Sequence, residues 1–347
     1  VKKDLRNITT EELAAFLTAN GEKAFRAKQI MLWLWKKSAT SIDEMTDLSV
    51  KTRALLNEHF EINAVQIAEQ QKSADGTVKY AFKLHDGFVV EGVLIPTTNR
   101  TTACISSQVG CSLTCKFCAT GRLKRERNLN ADEIFDQVSI IAKQAEETYG
   151  KPLSNIVYMG MGEPLLNYSN MIKSIDLICG EQGLNISPRR ITVSTAGIAK
   201  MIKKLGDDEV PFNLALSLHA ANDAKRDKIM PINEQNSLES LAEALKYFYE
   251  KTGTRVTYEY IIFKNFNDKI EDAQELAAFC KHVPCKVNII EYNPIDGGEF
   301  TQADTEKVDA FAAYLERKNV IVNIRRSRGK DIDAACGQLA NKNKASV

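Results

Sequence analysis

Several things are missing from this chain of 347 residues, and each absence removes a class of protein. No apolar run approaches the roughly 20 residues that a membrane-crossing helix needs, so no membrane span is expected. The opening Val1-Lys2-Lys3-Asp4-Leu5-Arg6-Asn7 lacks the apolar stretch of a secretory signal, which makes the cytoplasm the expected compartment. There is no excess of one charge. With 46 basic against 45 acidic side chains the formal net charge is +1, which argues against a strong, indiscriminate nucleic-acid binder. Internal repeats and low-complexity segments are also absent. What remains is an ordinary soluble globular composition, 44% hydrophobic and 26% charged. Its length suffices for one large α/β domain and a small satellite whose core needs no disulfides. Eight cysteines are too sparse for a disulfide scaffold, yet numerous enough to point to metal or redox chemistry.

Residues 1–60 read as a small helical accessory domain. Thr10 precedes Glu-Glu-Leu as a helix cap would, and Phe25–Lys37 carries Ile30, Leu32, Trp33, Leu34 and Trp35, a packing face. Residues 61–100 read as a short antiparallel β extension, with strands near 62–70, 77–84 and 88–95 joined through Asp75-Gly76 and Asp86-Gly87. From 101 to 330 the rhythm changes to strand–helix alternation. Strands are expected at 101–107, 154–159, 189–195, 212–218, 255–263, 285–292 and 320–326, with helices such as Ala131–Thr148 and Leu238–Lys251 between them. Such βα units imply a parallel sheet covered by helices, and six units with a last short strand make an open, partial barrel. Residues 331–347 form a tail, of which Asn341–Val347 is expected to fray.

Cys111-Ser-Leu-Thr-Cys115-Lys-Phe-Cys118 is the strongest chemical signal. Three thiolates within eight residues can wrap one face of an iron–sulfur cubane and leave one iron open to a substrate. A structural zinc site would want a fourth nearby ligand, and His85 is far off in sequence. Polar motifs also stand at the carboxyl ends of expected strands, where barrel enzymes gather their sites: Gly162-Glu163, Ser194, Ser217-Leu218-His219 and Asn293. The glycine permits close backbone approach and the carboxylate can pair with an ammonium group. Cys179, Cys280 and Cys285 read as structural. Cys280-Lys-His-Val-Pro-Cys285 straddles a helix-to-strand turn in the wrong register for a metal site.

The spacing Cys-x-x-x-Cys-x-x-Cys at the head of a βα series resembles the radical S-adenosylmethionine superfamily. Cys104-Ile-Ser-Ser-Gln-Val-Gly-Cys111, Gly160-Met-Gly-Glu-Pro-Leu-Leu-Asn167 and Asp331-Ile-Asp-Ala-Ala-Cys336-Gly-Gln-Leu339 resemble its RNA adenine methyltransferase branch, and Gly-Glu-Pro-Leu-Leu-Asn resembles the type acting at adenine C2 of 23S rRNA and tRNA. The resemblance extends to about Ala340. It implies a partial (β/α)6 radical S-adenosylmethionine barrel with one [4Fe–4S] cluster per subunit on Cys111, Cys115 and Cys118. The cluster's fourth iron would chelate S-adenosylmethionine and cleave it to a 5′-deoxyadenosyl radical. The strand-end motifs Gly162, Glu163, Ser194, Ser217, Leu218, His219 and Asn293 would hold that cofactor.

The resemblance further implies a two-stage route that consumes two S-adenosylmethionine molecules. One methylates Cys336, the second yields the radical that activates the S-methyl group for addition to C2, and Glu91 serves as base. Cys104 then attacks Cys336 and releases the product, leaving a disulfide bond to be reduced. Adenine C2 is not nucleophilic, which is why a direct polar transfer fails. From the residues alone, Cys104 and Cys336 could equally be small buried side chains and Glu91 a strand carboxylate facing water.

The expected partners are 23S rRNA, tRNA and a low-potential electron donor such as flavodoxin or ferredoxin, with no membrane and a monomeric enzyme. Local charge agrees. Lys116, Arg122, Lys124, Arg125 and Arg127 stand against Glu126 between 101 and 130, and Arg325, Arg326, Arg328, Lys330, Lys342 and Lys344 stand against Asp331 and Asp333 near the end. Phosphates would be neutralised there, and the target base flipped out of its RNA. The competing functions are methylation at adenine C8 of 23S rRNA, a protein-activating enzyme that makes a glycyl radical, and an iron–sulfur or zinc binding module.

Overall fold

The computed structural model describes residues 2–341. Ten strands make one open sheet whose spatial order follows chain order. They are β1 (Gln66–Lys72), β2 (Val78–Lys83), β3 (Val89–Pro96), β4 (Thr101–Cys104), β5 (Asn155–Tyr158), β6 (Ile191–Thr195), β7 (Asn213–Ser217), β8 (Val256–Ile262), β9 (Cys285–Glu291) and β10 (Ile321–Arg325). The first four pair antiparallel; from β4 to β10 every pairing is parallel. The antiparallel strands are thus no separate layer. β3 pairs with β4 and widens the parallel sheet, with Val93 opposite Cys104.

Turn chemistry explains the hairpins. Gly76 and Gly87 take φ values of 87° and 85°, while the carboxylates of Asp75 and Asp86 accept the N–H groups of Thr77 and Phe88. β8 is buried at every position, as a strand covered on both faces should be.

Three helices, α1 (Thr10–Ala19), α2 (Arg26–Trp35) and α3 (Val50–His59), precede the sheet. The six crossovers carry α4 (Ala131–Tyr149), α5 (Tyr168–Cys179), α6 (Ala199–Asp207), α7 (Asp223–Ile229) with α8 (Leu238–Thr252), α9 (Ile270–Phe279) and α10 (Thr305–Arg317). Asn130 and Glu133 form a capping box at the start of α4, and Gly150, at φ 61°, ends it. Its buried face, Ile134, Phe135, Val138, Ile141 and Ala145, packs on the sheet. Trp35 is buried edge-to-face on Phe135, so it is a packing residue as its place in the helix suggests. No helix among the described residues is long and apolar enough to cross a membrane. Lys342, Lys344 and the fraying expected for 342–347 lie outside the described residues.

One buried charge cluster ties the N-terminal segment to α4. The Arg6 guanidinium meets Asp4, Asp132 and Asp136 at 3.3, 3.0 and 2.7 Å, and donates to the carbonyl of Asn63 at 2.6 Å. Burial works against its charge, but Asp136, Asp132 and Asp4 outweigh it and hold the guanidinium above its ordinary value. Removing the cation would leave three carboxylates buried without compensation. Arg6→Met is therefore expected to destabilise the fold by about 3–5 kcal/mol, measured by urea denaturation, and Arg6→Lys by less.

Candidate active site

The carboxyl ends of the parallel strands surround a cavity of about 150 Å³. Cys111, Cys115, Cys118, Gly162, Glu163, Ser194, Ser217, His219 and Cys336 all line it. Of the residues expected at the site, Leu218, Asn293, Cys104 and Glu91 do not. A larger groove of about 530 Å³ lies on the outer helical layer between α8 and α9, away from all of these thiols.

The three clustered cysteines sit on an irregular loop beyond β4, where Cys118 N–H bonds the Cys115 carbonyl and Gly121 N–H bonds the Cys118 carbonyl. Leu113 N–H donates to Cys111 Sγ at 3.4 Å. Burial pushes the Cys111 thiol up to about 11, and Cys115 and Cys118 move the same way for the same reason. Three thiolates here therefore require positive charge from a bound group. Among the described residues no three His, Cys, Asp or Glu side chains converge on a single metal ion. A cubane asks something different: one thiolate on each of three separate iron corners, with its own positive charge offsetting the burial. The donor set fits a cluster and not a lone zinc ion.

Glu163 is fixed opposite the thiols. Its carboxylate accepts the N–H groups of Ala196 at 2.7 Å and Leu165 at 3.1 Å, and its own N–H donates to Gln108 Oε1. Burial raises its carboxyl to about 7, against the pull of those two donors. Gly162 holds φ 97°, and a Cβ there would lie 2.5 Å from Gln108 Cβ, so both backbone freedom and the close approach require glycine.

Ser194 and Ser217 face each other across β6 and β7 with their hydroxyls 3.3 Å apart. His219 is buried, has φ 56° and accepts the Ile261 N–H on Nδ1. Burial and the nearby Arg226 push its imidazole down to about 3, so it is neutral and no proton carrier near neutral pH. Leu218 is fully buried; its N–H and carbonyl go to Glu259 and Arg226, so it shapes the loop.

Arg226, fully buried, is a residue that sequence reasoning missed. Its guanidinium reaches the carbonyls of Leu218, Ala196 and Ser217 and the Asn233 side chain, stitching the ends of β6 and β7 together. Glu259 and Arg325 were missed as well. Both line the cavity and pair at 3.1 Å, and Asn288 donates to the other carboxylate oxygen of Glu259 at 2.7 Å. A signal existed: Glu259 interrupts an apolar strand, and Arg325 ends β10 in the register that marked the other strand-end residues.

Cys336 opens to solvent through the cavity while protein surrounds it, and that environment raises its thiol. Cys104 is buried and pushed up to about 12 by burial and by Cys336, with Arg325 pulling the other way. The two thiols are therefore within electrostatic reach of one another and of a single cation. All eight cysteines are free thiols, so any Cys104–Cys336 disulfide is not a standing bond of this structure. Asn293 donates to the Cys336 carbonyl at 3.3 Å, while its Oδ1 is buried without a partner, an acceptor for a ligand donor.

Glu91 is no solvent-facing carboxylate. It is buried, 3.7 Å from the Lys79 ammonium, and its Oε2 accepts the N–H groups of Ala340 and Asn341 at 2.8 and 3.2 Å.

The basic runs need correction too. Arg127 is committed to Asp86 and Glu133, Arg325 to Glu259, and Arg326 and Lys330 to Glu291. Lys116, Lys124 and Arg125 are exposed beside the cysteine loop, Lys124 3.7 Å from the Glu126 carboxylate and Arg125 donating to Asn128 Oδ1 at 3.3 Å.

Residues 3–62 match the ribosomal RNA large subunit methyltransferase N-terminal domain family, and residues 105–279 match the radical SAM superfamily. A probable dual-specificity RNA methyltransferase RlmN of Cytophaga hutchinsonii is 61% identical over 98% of this chain and 93% of its own length. The dual-specificity RNA methyltransferase RlmN of Anaeromyxobacter sp. is 43% identical over 98% of this chain and 91% of its own. The crystal structure of a radical SAM methyltransferase from Sphaerobacter thermophilus, 38% identical, superimposes with a TM-score of 0.91 over 97% of this chain and 99% of that one. Near-complete coverage at these identities, on a chain whose Cys111, Cys115, Cys118 and Cys336 line one cavity, places the protein in the dual-specificity RNA methyltransferase RlmN family of radical S-adenosylmethionine enzymes.

Proposed function

We propose that this RNA methyltransferase methylates C2 of a specific adenosine in 23S rRNA and in tRNA through an S-methyl group carried on Cys336. One observation carries the reading: the three clustered thiols, Glu163 and Cys336 line a single cavity, with Cys104 electrostatically coupled to Cys336 behind it. In this reading Cys111, Cys115 and Cys118 hold one [4Fe–4S] cluster per subunit. Glu163 meets the ammonium of S-adenosylmethionine, and Ser194, Ser217, the 218–219 backbone and Asn293 hold the rest of it. Bound together, cluster and cofactor supply a hydrogen-abstracting radical and the methyl group.

The chain's own residues do the remainder. Cys336 accepts the methyl group on sulfur, presents it at C2 and so ties the RNA to the enzyme. Cys104, losing its proton, then attacks Cys336 Sγ; the bond from Sγ to the tethering carbon breaks, that carbon takes up a proton as the product's methyl group, and a Cys104–Cys336 disulfide remains to be reduced. Arg325 favours the thiolate form of both cysteines. Glu91, the base for the C2 proton, is covered by the Ala340–Asn341 backbone, so its exposure requires that segment to lift when RNA enters.

Residues 1–60 serve as an accessory RNA platform, 61–100 as a β extension, 101–330 as the barrel and 331–347 as the tail carrying the methyl acceptor. Lys116, Lys124 and Arg125 supply phosphate contacts that position the RNA. The enzyme acts as a monomer and draws electrons from a flavodoxin or ferredoxin.

The reading is tested with cluster-loaded protein, methyl-deuterated S-adenosylmethionine and RNA. Cys336→Ala abolishes 2-methyladenosine, and Cys104→Ala accumulates RNA covalently joined to Cys336, seen as a shifted band in denaturing gels. 8-Methyladenosine as sole product, or normal C2 methylation by Cys336→Ala, overturns it.

A second expectation concerns Glu163. An ammonium group binds the ionised carboxylate, and the carboxyl sits near 7 because burial disfavours its charge. Affinity for S-adenosylmethionine, measured by equilibrium dialysis, should fall about tenfold per pH unit below that value and level off above it. Glu163→Gln should bind weakly with no such slope.

A further inference from the structure

The Cys280–Cys285 pair stands apart from the other six cysteines. It does not belong to the cavity. Cys285 is the first residue of β9, at the rim opposite the cluster, and Cys280 caps the end of α9 five residues before it. The turn between them is fixed: Lys281 and His282 donate to the carbonyls of Ala278 and Phe279, and the Pro284 carbonyl accepts the Val256 N–H. The Cys285 thiol donates to the Cys280 carbonyl at 3.6 Å and lies within hydrogen-bond reach of the Cys280 thiol. That thiol, followed by Arg255, is what favours the Cys285 thiolate.

One further observation points to an anionic ligand. The half-buried sulfurs line a groove of about 280 Å³ whose walls include Arg255, Lys281 and Lys318 and no carboxylate. The sequence alone gives these cysteines a structural place; the geometry gives them more.

We propose that Cys280 and Cys285 form a redox modification site that takes anionic low-molecular-weight disulfides and closes into an intramolecular disulfide. The Cys285 thiolate attacks one sulfur of the small disulfide. That S–S bond breaks, and one small thiolate leaves and takes up the proton lost by Cys285. Cys280, losing its own proton, then attacks Cys285 Sγ and expels the second small thiol. Two protein thiols are oxidised by two electrons, and the small disulfide is reduced to two thiols.

The test incubates cluster-loaded enzyme anaerobically with glutathione disulfide, quenches with an alkylating reagent and maps peptides by mass spectrometry. The Cys280–Cys285 disulfide is the first oxidised species, at least about tenfold ahead of any other cysteine. Cys280→Ser traps glutathione on Cys285, and Cys285→Ser leaves Cys280 unreacted over the same interval. A neutral disulfide, hydroxyethyl disulfide, reacts more slowly; equal rates would overturn the assignment to anionic disulfides. Reaction first at Cys104, Cys336 or the cluster thiols in the wild-type enzyme, or a glutathione adduct that persists on Cys285 beside a free Cys280, overturns the site.

Discussion

The Glu91 carboxylate, buried beside Lys79, accepts two backbone N–H groups from the last described residues, Ala340 and Asn341. An irregular segment crossing the mouth of a barrel must find partners for its peptide groups somewhere, because unpaired ones are costly. Here the partners come from three parts of the site. The Leu339 carbonyl takes the Thr120 hydroxyl and the Gly337 carbonyl takes the Ala119 N–H, both from the cysteine loop. Gln338 reaches the Pro294 carbonyl, and Asn293 reaches that of Cys336. The position of Cys336 is consequently set by β3, by the loop holding the three clustered thiols and by the loop after β9. A displacement of any one of them is felt at the Cys336 sulfur.

The same site has an electrostatic difficulty. In the proposed reaction its thiols and the Glu163 carboxylate act in charged form, and burial disfavours those charges. Two guanidinium groups answer this in different ways. Arg226 spends its donors on backbone carbonyls at the ends of β6 and β7, and its field reaches Cys115 and suppresses protonation of His219. Arg325 is held by a carboxylate, and its field reaches Cys104 and Cys336 together. Each cation is fixed by partners outside the reacting set, so neither needs to move for its charge to act. That fixed charge is the preorganisation a desolvated site requires.

Much of this was legible in sequence because local rules decided it. The strands expected at 255–263 and 285–292 are observed as Val256–Ile262 and Cys285–Glu291, since apolar runs bounded by turns leave little choice. Cys111, Cys115, Cys118 and Glu163 were readable because spacing and strand-end position carry their geometry. Arg226, Glu259 and Arg325 were not, because a charged residue in a sequence looks the same whether it meets solvent or is buried against carbonyls. The local charge count failed for a related reason. Arg127, Arg326 and Lys330 add to a basic run on paper, yet carboxylates distant in sequence neutralise them in the fold. Nor could spacing show that Glu91 faces inward, since a one-residue change of register reverses which face of β3 it occupies.

The open barrel itself explains why Cys104 and Cys336 come from opposite ends of the domain. Within the parallel part of the sheet, β4 and β10 are the first and last strands, and they do not pair with one another. A barrel of eight parallel strands would close between them. Here the sheet stops short but still curls, and Arg325 at the end of β10 comes within electrostatic reach of Cys104 at the end of β4. The interval is crossed by the segment from Gly329 to Asn341 and its side-chain and backbone tethers, with no paired strand. Tethers of a few hydrogen bonds open at far smaller cost than a strand ladder buried on both faces. In the proposed reaction a nucleotide must reach Cys336 from outside and the base must be uncovered, so an incomplete barrel sealed by a removable segment meets both demands where a closed one would meet neither.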